Sequence, residues 1–308
     1  MKFVSAQPAS TYFAWQLAVQ LTNFRSVGID LADCHVLLAK QGELPDEIIH
    51  LIGLYPEVSF YIVEDHRTRR YYSPSVRFFL LNYLQRENPA LFQGSVFYHD
   101  SDILFINLPD FKTLCSDDTW YASDTRSYLN ANYIKSKGEG LLENMASIVG
   151  VDPLKVLCNN QQAGGAQYLI KNVPTGFFEK MEIKSEKLYF FLKESQKAYR
   201  MLHYLTTGRK DYHPIQEWCA DMWVLFWSAL ANNIRFEISD ELSFCFATDR
   251  KEKLDSVKIY HDAGVTDKTP QLFKKSDYRN LVPDHSISTD SECCSQFYVD
   301  AIKQAPCL

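Results

Sequence analysis

VFYHDSDILF, residues 96–105, is the stretch whose reading decides the fold. An aromatic, apolar run that looks like a buried strand gives way to Asp100-Ser101-Asp102. Burying a carboxylate costs several kcal/mol unless something positive meets it. Alternate residues of a strand face the same side, so Asp100 and Asp102 can point at one cation. D-x-D is common by chance, and a solvated turn with a helix-capping Asp would need no ligand. Its place where a buried strand gives out favours a site.

Upstream of this stretch, strands and helices alternate. KFVSA reads as a first buried strand, and TYFAWQLAVQLTNFRSVGI as a helix whose apolar positions recur at helical spacing. Gly28 is a suitable stop for it. CHVLLAK and VSFYIVED read as further strands around the helix PDEIIHLIGLY, which carries Pro and two acids in its first turn. SPSVRFFLLNYLQREN is a helix with Ser73 as N-cap and Pro74 at its first position. GSVFYHDSDILF is the fourth strand. This order predicts an α/β fold, a Rossmann-type, mostly parallel sheet flanked by helices. In such sheets ligands bind outside the carboxyl ends of the strands, where Asp100 and Asp102 fall.

Beyond residue 110 the pattern loosens. SDTRSYLNANYIKSKGEGLLENMASIVGV reads as loop then helix, and NNQQAGGAQYLIK as a polar loop entering a short strand. SEKLYFFLKESQKAYRMLHYL and HPIQEWCADMWVLFWSALANN read as helices, and 235–308 as short strands and loops. The expectation is one catalytic domain over 1–308, with 1–110 as a nucleotide-binding half and 111–308 as a half facing donor sugar and acceptor.

Composition excludes several classes. The chain has 308 residues and 46% hydrophobic content, enough for a sizeable core, and its 20 Phe and 18 Tyr argue against disorder. A net charge of −6, with RTRR at 67–70 as the densest basic spot, argues against nucleic acid as a partner. The 8 cysteines form no C-x-x-C pair and stand mostly in apolar segments, as reduced buried thiols do. MKFVSAQPAS does not read as a signal peptide, and MWVLFWSALA is too short to be a transmembrane segment. The expected location is cytoplasmic, or peripheral to the inner face of a membrane.

VKIYHDAGVT, 257–266, repeats the grammar of the first site: an apolar run, His261, then a small-residue turn. A lone His is usually structural. Imidazole, however, suits Mn2+ and later transition metals better than Mg2+. Asp100, Asp102 and His261 would form a three-residue metal site with positions open for a diphosphate, and Gly264 would admit a close backbone approach.

With FYHDSDILF, NNQQAGGAQYLIK, EWCADMWVLFW and IYHDAGVT in this order, the chain resembles a GT-A type nucleotide-sugar-dependent glycosyltransferase from about residue 10 to its end. The resemblance implies that Asp100 and Asp102 hold a divalent cation, Mn2+ or Mg2+, bridging the donor diphosphate. It implies that His261 is the third protein ligand, and that the donor is a nucleotide sugar, most often a UDP-sugar. The implied activity is metal-dependent transfer of a hexosyl or pentosyl group to a hydroxyl on a glycan, protein or lipid.

Other residues are candidates around this centre. Arg77, in the first turns of its helix, could steady a leaving diphosphate, with Ser75 adding a hydroxyl at that helix N-terminus. The competing reading of Arg77 is a surface ion pair, and Arg67, Arg69 and Arg70 read as a solvated loop. The resemblance places Gln162, Gly164, Gly165 and Gln167 along the donor-sugar pocket; otherwise they are a plain turn before a strand. Glu217 and Asp221 stand one helical turn apart beside Trp218 and Trp223. In an inverting enzyme Asp221 would be the general base, and in a retaining one it would only position substrate; a histidine ligand late in the chain resembles several retaining families, while Asp221 leaves inversion open. Gln16, Phe13 or Trp15 could meet the nucleotide, with core packing the stronger reading of Trp15, as it is of His99. Asp124 and Arg126 could serve the donor.

Two alternatives come from other classes. A sugar-nucleotide nucleotidyltransferase normally needs a glycine-rich basic loop after its first strand, and SAQPASTYFAWQ has none. A catalytically inactive nucleotide-sugar-binding protein would have little reason to keep Asp100, Asp102 and His261 together.

Overall fold

In the computed structural model, which describes residues 1–308, the chain opens with β1 (Lys2–Pro8), α1 (Thr11–Ser26), β2 (Cys34–Lys40), α2 (Asp46–Leu54) and β3 (Ser59–Glu64). This is the alternation the sequence predicts. Next come α3 (Val76–Glu87), β4 (Ser95–Tyr98), β5 (Ile103–Phe105), the short α4 (Phe111–Leu114) and β6 (Trp120–Asp124). Four helices follow: α5 (Arg126–Leu129), α6 (Ala131–Lys137), α7 (Leu141–Val149) and α8 (Pro153–Cys158). Strand β7 (Gly164–Lys171) leads to α9 (Met181–Thr207) and α10 (Ala220–Ala231). The tail adds β8 (Phe236–Ile238), β9 (Phe244–Phe246), β10 (Ile259–His261) and α11 (Ser295–Gln304).

The chain divides into two units that interleave in sequence. One comprises Met1–His66, Ser95–Ser116 and Asp240–Leu308, the other Arg67–Gly94 and Asp117–Ser239. In the first, four parallel strands stand in the order β3-β2-β1-β4. Strands β1 and β2 are buried on both faces, which is why they read as continuous apolar runs rather than alternating ones, whereas β3 is mostly half-buried. Gly28 ends the turn after α1 with φ +89°, a conformation that favours glycine.

A second sheet in this unit has the order β5-β10-β9, with β5 antiparallel and β9 parallel to β10. Its packing explains the tail. Trp15 and Val19 of α1, Tyr260 of β10 and Tyr298, Val299 and Ile302 of α11 share one buried cluster. Each large apolar side chain so buried contributes about 1.5–3 kcal/mol. The last helix therefore holds β10, and with it His261, in place.

In the second unit β6 runs antiparallel to β7 and parallel to β8. Trp120, Trp223 and Trp227 are fully buried there, among helices α5 to α10. The α/β class and the mostly parallel sheet are as expected.

Several local expectations are corrected. Residues 95–105 are not one strand: β4 stops at Tyr98 and β5 starts at Ile103, in a different sheet. The helix expected from Ser73 begins as a 3-10 turn, Ser73–Ser75, containing Pro74. Ser73 does not cap it; regular α-helix starts at Val76. Gly164 and Gly165 lie inside β7 rather than in a loop. Helix α11 and strand β6 were not expected at all.

Candidate functional site

The turn between β4 and β5 carries Asp100, Ser101 and Asp102, and three side chains of α1 hold it. Gln20 donates from Nε2 to the carbonyls of Asp100 at 2.7 Å and Ile103 at 3.2 Å. Ser101 Oγ donates to Gln16 Oε1 at 3.4 Å. Asn23 grips Phe105 on both backbone groups, at 3.0 and 2.8 Å. Gln16, Gln20 and Asn23 stand at i, i+4 and i+7, one stripe of the helix. Gln16 and Gln20 are buried, and a polar stripe on an otherwise apolar helix was a legible signal that the sequence reading used only at Gln16.

Strand pairing brings in the histidine. The antiparallel register places His261 opposite Ile103, and the Asp262 N–H donates to the Asp102 carbonyl at 3.0 Å. His261 Nε2 then lies 3.7 Å from Asp100 Oδ2 and 3.4 Å from Asp102 Oδ1. The three ligand atoms lie within 4.8 Å of one another. It is the β10 pairing, not alternation along one strand, that gathers the set.

The electrostatics are those of a concentrated anionic pocket. Lys275 donates from Nζ to Asp102 Oδ2 and to the Asp262 carbonyl. Burial opposes ionisation of Asp102, yet the Lys275 ammonium and the His261 ring hold its carboxyl far below the usual range. Burial likewise opposes the charged forms of His261 and Lys275, and the Asp102 carboxylate overrides it, so both are raised. Burial pushes the Asp262 carboxyl up to about 6, and Tyr260 donates to it at 2.6 Å. Asp102 Oδ1 is buried without a hydrogen-bond partner.

That orphaned oxygen tests the fit of a metal. Two carboxylates and an imidazole converging within one coordination sphere are a donor set suited to Mn2+, and the carboxylates to Mg2+. The residues fit such an ion. Gly264, three residues past His261, has φ +89°, and a Cβ there would meet Thr248 Oγ1 at 3.4 Å. His99 is packed, as expected: it stacks on Phe97 at 5.4 Å, and burial lowers it to about 4. Trp15 is core, donating from Nε1 to the Tyr278 carbonyl at 3.1 Å.

The remaining candidates belong to the second unit. Asp221 is buried; its Oδ2 pairs with Arg77 Nη1 at 3.0 Å and its Oδ1 lies 2.6 Å from Tyr72 Oη. Its N–H also donates to Tyr72 Oη, at 3.1 Å. Ser75 is fully buried between Glu186, 2.7 Å away, and Arg67 Nη1, 2.7 Å away. Arg67 is thus buried structure, not the solvated loop expected. Glu217 does not share Asp221's partners: it lies in a 3-10 turn and accepts from Gln196 at 2.8 Å. Trp223 is buried and donates to the Leu129 carbonyl, whereas Trp218 is exposed.

Gln162 ends a 3-10 turn before β7. A Cβ on Gly164 would lie 2.8 Å from Ala122 Cβ and 3.0 Å from the Ser123 carbonyl, and one on Gly165 2.3 Å from Met222 Cε. Gly164 thus packs closely on the neighbouring strand β6, whereas Gly165 faces the ends of side chains from α5 and α10. Gln167 is fully buried; it accepts from Ser123 at 2.7 Å and its Nε2 has no partner. Asp124 and Arg126 pair with each other at 2.6 Å. All eight cysteines are free thiols.

No family model and no curated relative matches the chain. Among solved structures it is similar to WbbM, a bifunctional glycosyltransferase in its apo form, with a TM-score of 0.53 at 10% identity, over 99% of this chain and 50% of that one. The chain thus spans half the length of WbbM. It also aligns with an active-site mutant of LgtC, with a TM-score of 0.47 at 12% identity, over 100% of this chain and 97% of that one. The WbbM likeness is one of fold. The GT-A resemblance read from four stretches of sequence is matched by a glycosyltransferase-like fold and by one cluster of Asp100, Asp102 and His261.

Proposed function

We propose that this protein is a glycosyltransferase that moves a sugar from a nucleotide-sugar donor, first of all a UDP-sugar, to a hydroxyl acceptor on a glycan, protein or lipid. Asp100, Asp102 and His261 would hold a divalent cation, Mn2+ or Mg2+. The observation that carries this reading is the convergence of those three side chains, across the β5–β10 pairing, onto an oxygen with no hydrogen-bond partner.

Breaking the bond from an anomeric carbon to a diphosphate leaves charge on the departing group, and the cation, when bound, neutralises it. The chain's own residues do the rest. Gln20 fixes the turn through the Asp100 carbonyl, so both acids are preorganised. Lys275 adds positive charge on Asp102. Gly264 takes a left-handed conformation three residues past His261, which glycine adopts without strain, and so lets the backbone turn there. In the second unit Arg77 offers a guanidinium of the kind that pairs with phosphate, and Gln162 and Gln167 offer amides of the kind that bind sugar hydroxyls. Asp221 is already engaged by Arg77 and Tyr72, which supports a positioning role over proton abstraction and so favours retention. Glu217 is likewise assigned to positioning.

Thermal melting against UDP-, GDP- and CDP-sugars, with and without Mn2+, tests the reading. One donor should raise the melting temperature only when metal is present, because ligands that bind the folded state alone stabilise it. Donor binding that ignores both metal and Asp102→Asn would overturn the assignment.

A further inference from the structure

No helix is long and apolar enough to cross a membrane, yet four large apolar or aromatic side chains stand exposed in the last turns of α9. Met201 is 59% exposed, Leu205 71%, Leu202 44% and Tyr204 45%. With Ala198, the residues Met201, Leu202 and Leu205 stand at i, i+3, i+4 and i+7, an amphipathic stripe facing outward. The helix's packed stripe is a different one: Tyr199 and His203 are half-buried, and the His203 ring lies 5.7 Å from that of Tyr212. The outward stripe therefore has no packing role in holding the helix down.

A third stripe is basic. Lys193, Lys197 and Arg200 follow at i, i+4 and i+7, all exposed, and Arg209 and Lys210 come just after the helix. From 193 to 210 the only acid is Glu194, although the whole chain carries −6. Asp211, next in sequence, is taken up by His203 at 2.9 Å. Apolar and basic stripes side by side on one exposed face are what a helix needs to lie in the headgroup region: the apolar side chains enter and the long cationic ones reach back to phosphates. A dimer contact between two copies would bring these like charges together, so charge complementarity favours an anionic bilayer.

We infer that the carboxyl-terminal half of α9 is a docking surface for anionic lipid, one that lies on the membrane without spanning it. Flotation of the full chain with vesicles of phosphatidylcholine alone, and of phosphatidylcholine mixed with phosphatidylglycerol, tests this. The expected result is partition onto the mixed vesicles only, lost at high salt. The pair Met201→Glu and Leu205→Glu should abolish it. Reversing Lys197 and Arg200 to Glu should weaken it roughly fivefold or more per residue. All four positions are exposed, so melting should match the parent; the milder Lys197→Gln and Arg200→Gln pair repeats the test if it does not. Equal partition onto both vesicles, or unchanged binding by the Met201→Glu, Leu205→Glu protein, would overturn the inference. So would a dimer in sedimentation analysis that those two substitutions dissolve.

Discussion

Two buried acids, one in each unit, handle the same physical problem differently. Asp221 is closed: Arg77 takes one oxygen, Tyr72 the other, and its own N–H is tied to the same phenol. Asp102 is open: Lys275 takes one oxygen, and the other is buried beside Asp100 and His261 with no hydrogen bond of its own. Burial and charge are common to both. What separates them is convergence of two acids and a histidine on one point, so the tryptophan-flanked acid that looked most catalytic in sequence is the better-satisfied one.

The sharpest way to break this comparison is to cut Asp221. Asp221→Ala leaves Arg77 and the Tyr72 hydroxyl short of their buried partner, and losing one side of a buried pair costs about 3–5 kcal/mol. Urea unfolding should show that loss with or without Mn2+; a loss that Mn2+ restores would make Asp221 part of the metal centre. The next largest effect belongs to the open cluster. Mn2+ at about a hundredfold excess over its Kd should stabilise the parent by about 2.7 kcal/mol, and Asp102→Asn should remove that response. Calorimetric titration of the two proteins checks it without any turnover. Equal affinities would show that the three donors hold no ion.

Much of the first unit could be read from the chain. Strands β1, β2 and β3 are apolar runs of five to eight residues bounded by turn residues, and β2 matches the stretch CHVLLAK. Asp100, Asp102 and His261 were legible because acids and a histidine interrupt apolar runs, where neither is stable without a reason. The means of gathering them was not: β5 and β10 are three residues each, too short for a periodicity to show. Lys275 was missed because a lysine in a tail loop has no local pattern; only the fold sets it against Asp102. Glu186 and Arg67, which bracket Ser75, were invisible for the same reason, being more than a hundred residues apart in sequence. Gln20 and Asn23 could have been found, since polar residues repeat there on an otherwise apolar helix.

The glycines of β7 sharpen the contrast on a smaller scale. Read as a donor loop they should tolerate a methyl group and lose binding; read as packing they should do the reverse. Gly164→Ala would press a Cβ to 2.8 Å from Ala122 Cβ and 3.0 Å from the Ser123 carbonyl, an overpacking that costs about 1–3 kcal/mol. Thermal melting should fall accordingly. A Gly164→Ala protein that melts like the parent but no longer responds to donor would return the loop to the binding site.

His35 shows a third solution to burial, smaller in its effect: the group stays neutral. Its Nδ1 lies 3.1 Å from Tyr61 Oη, and its buried Nε2 has no partner. Burial, reinforced by the Lys2 charge, lowers it from 6.5 to about 4. The sign follows from proton counting. Between those values the unfolded chain binds a proton that the folded chain refuses, so stability is whole above pH 6.5 and declines as pH falls toward 4. Asp262, raised to about 6, pulls the other way over the same span, so the parent's curve alone cannot assign the slope. The difference between the parent and His35→Gln can: urea melts from pH 7 to pH 4 should show the variant losing less stability on acidification. If the two curves run parallel, the ring is protonated inside the fold, and burial here selects no neutral form.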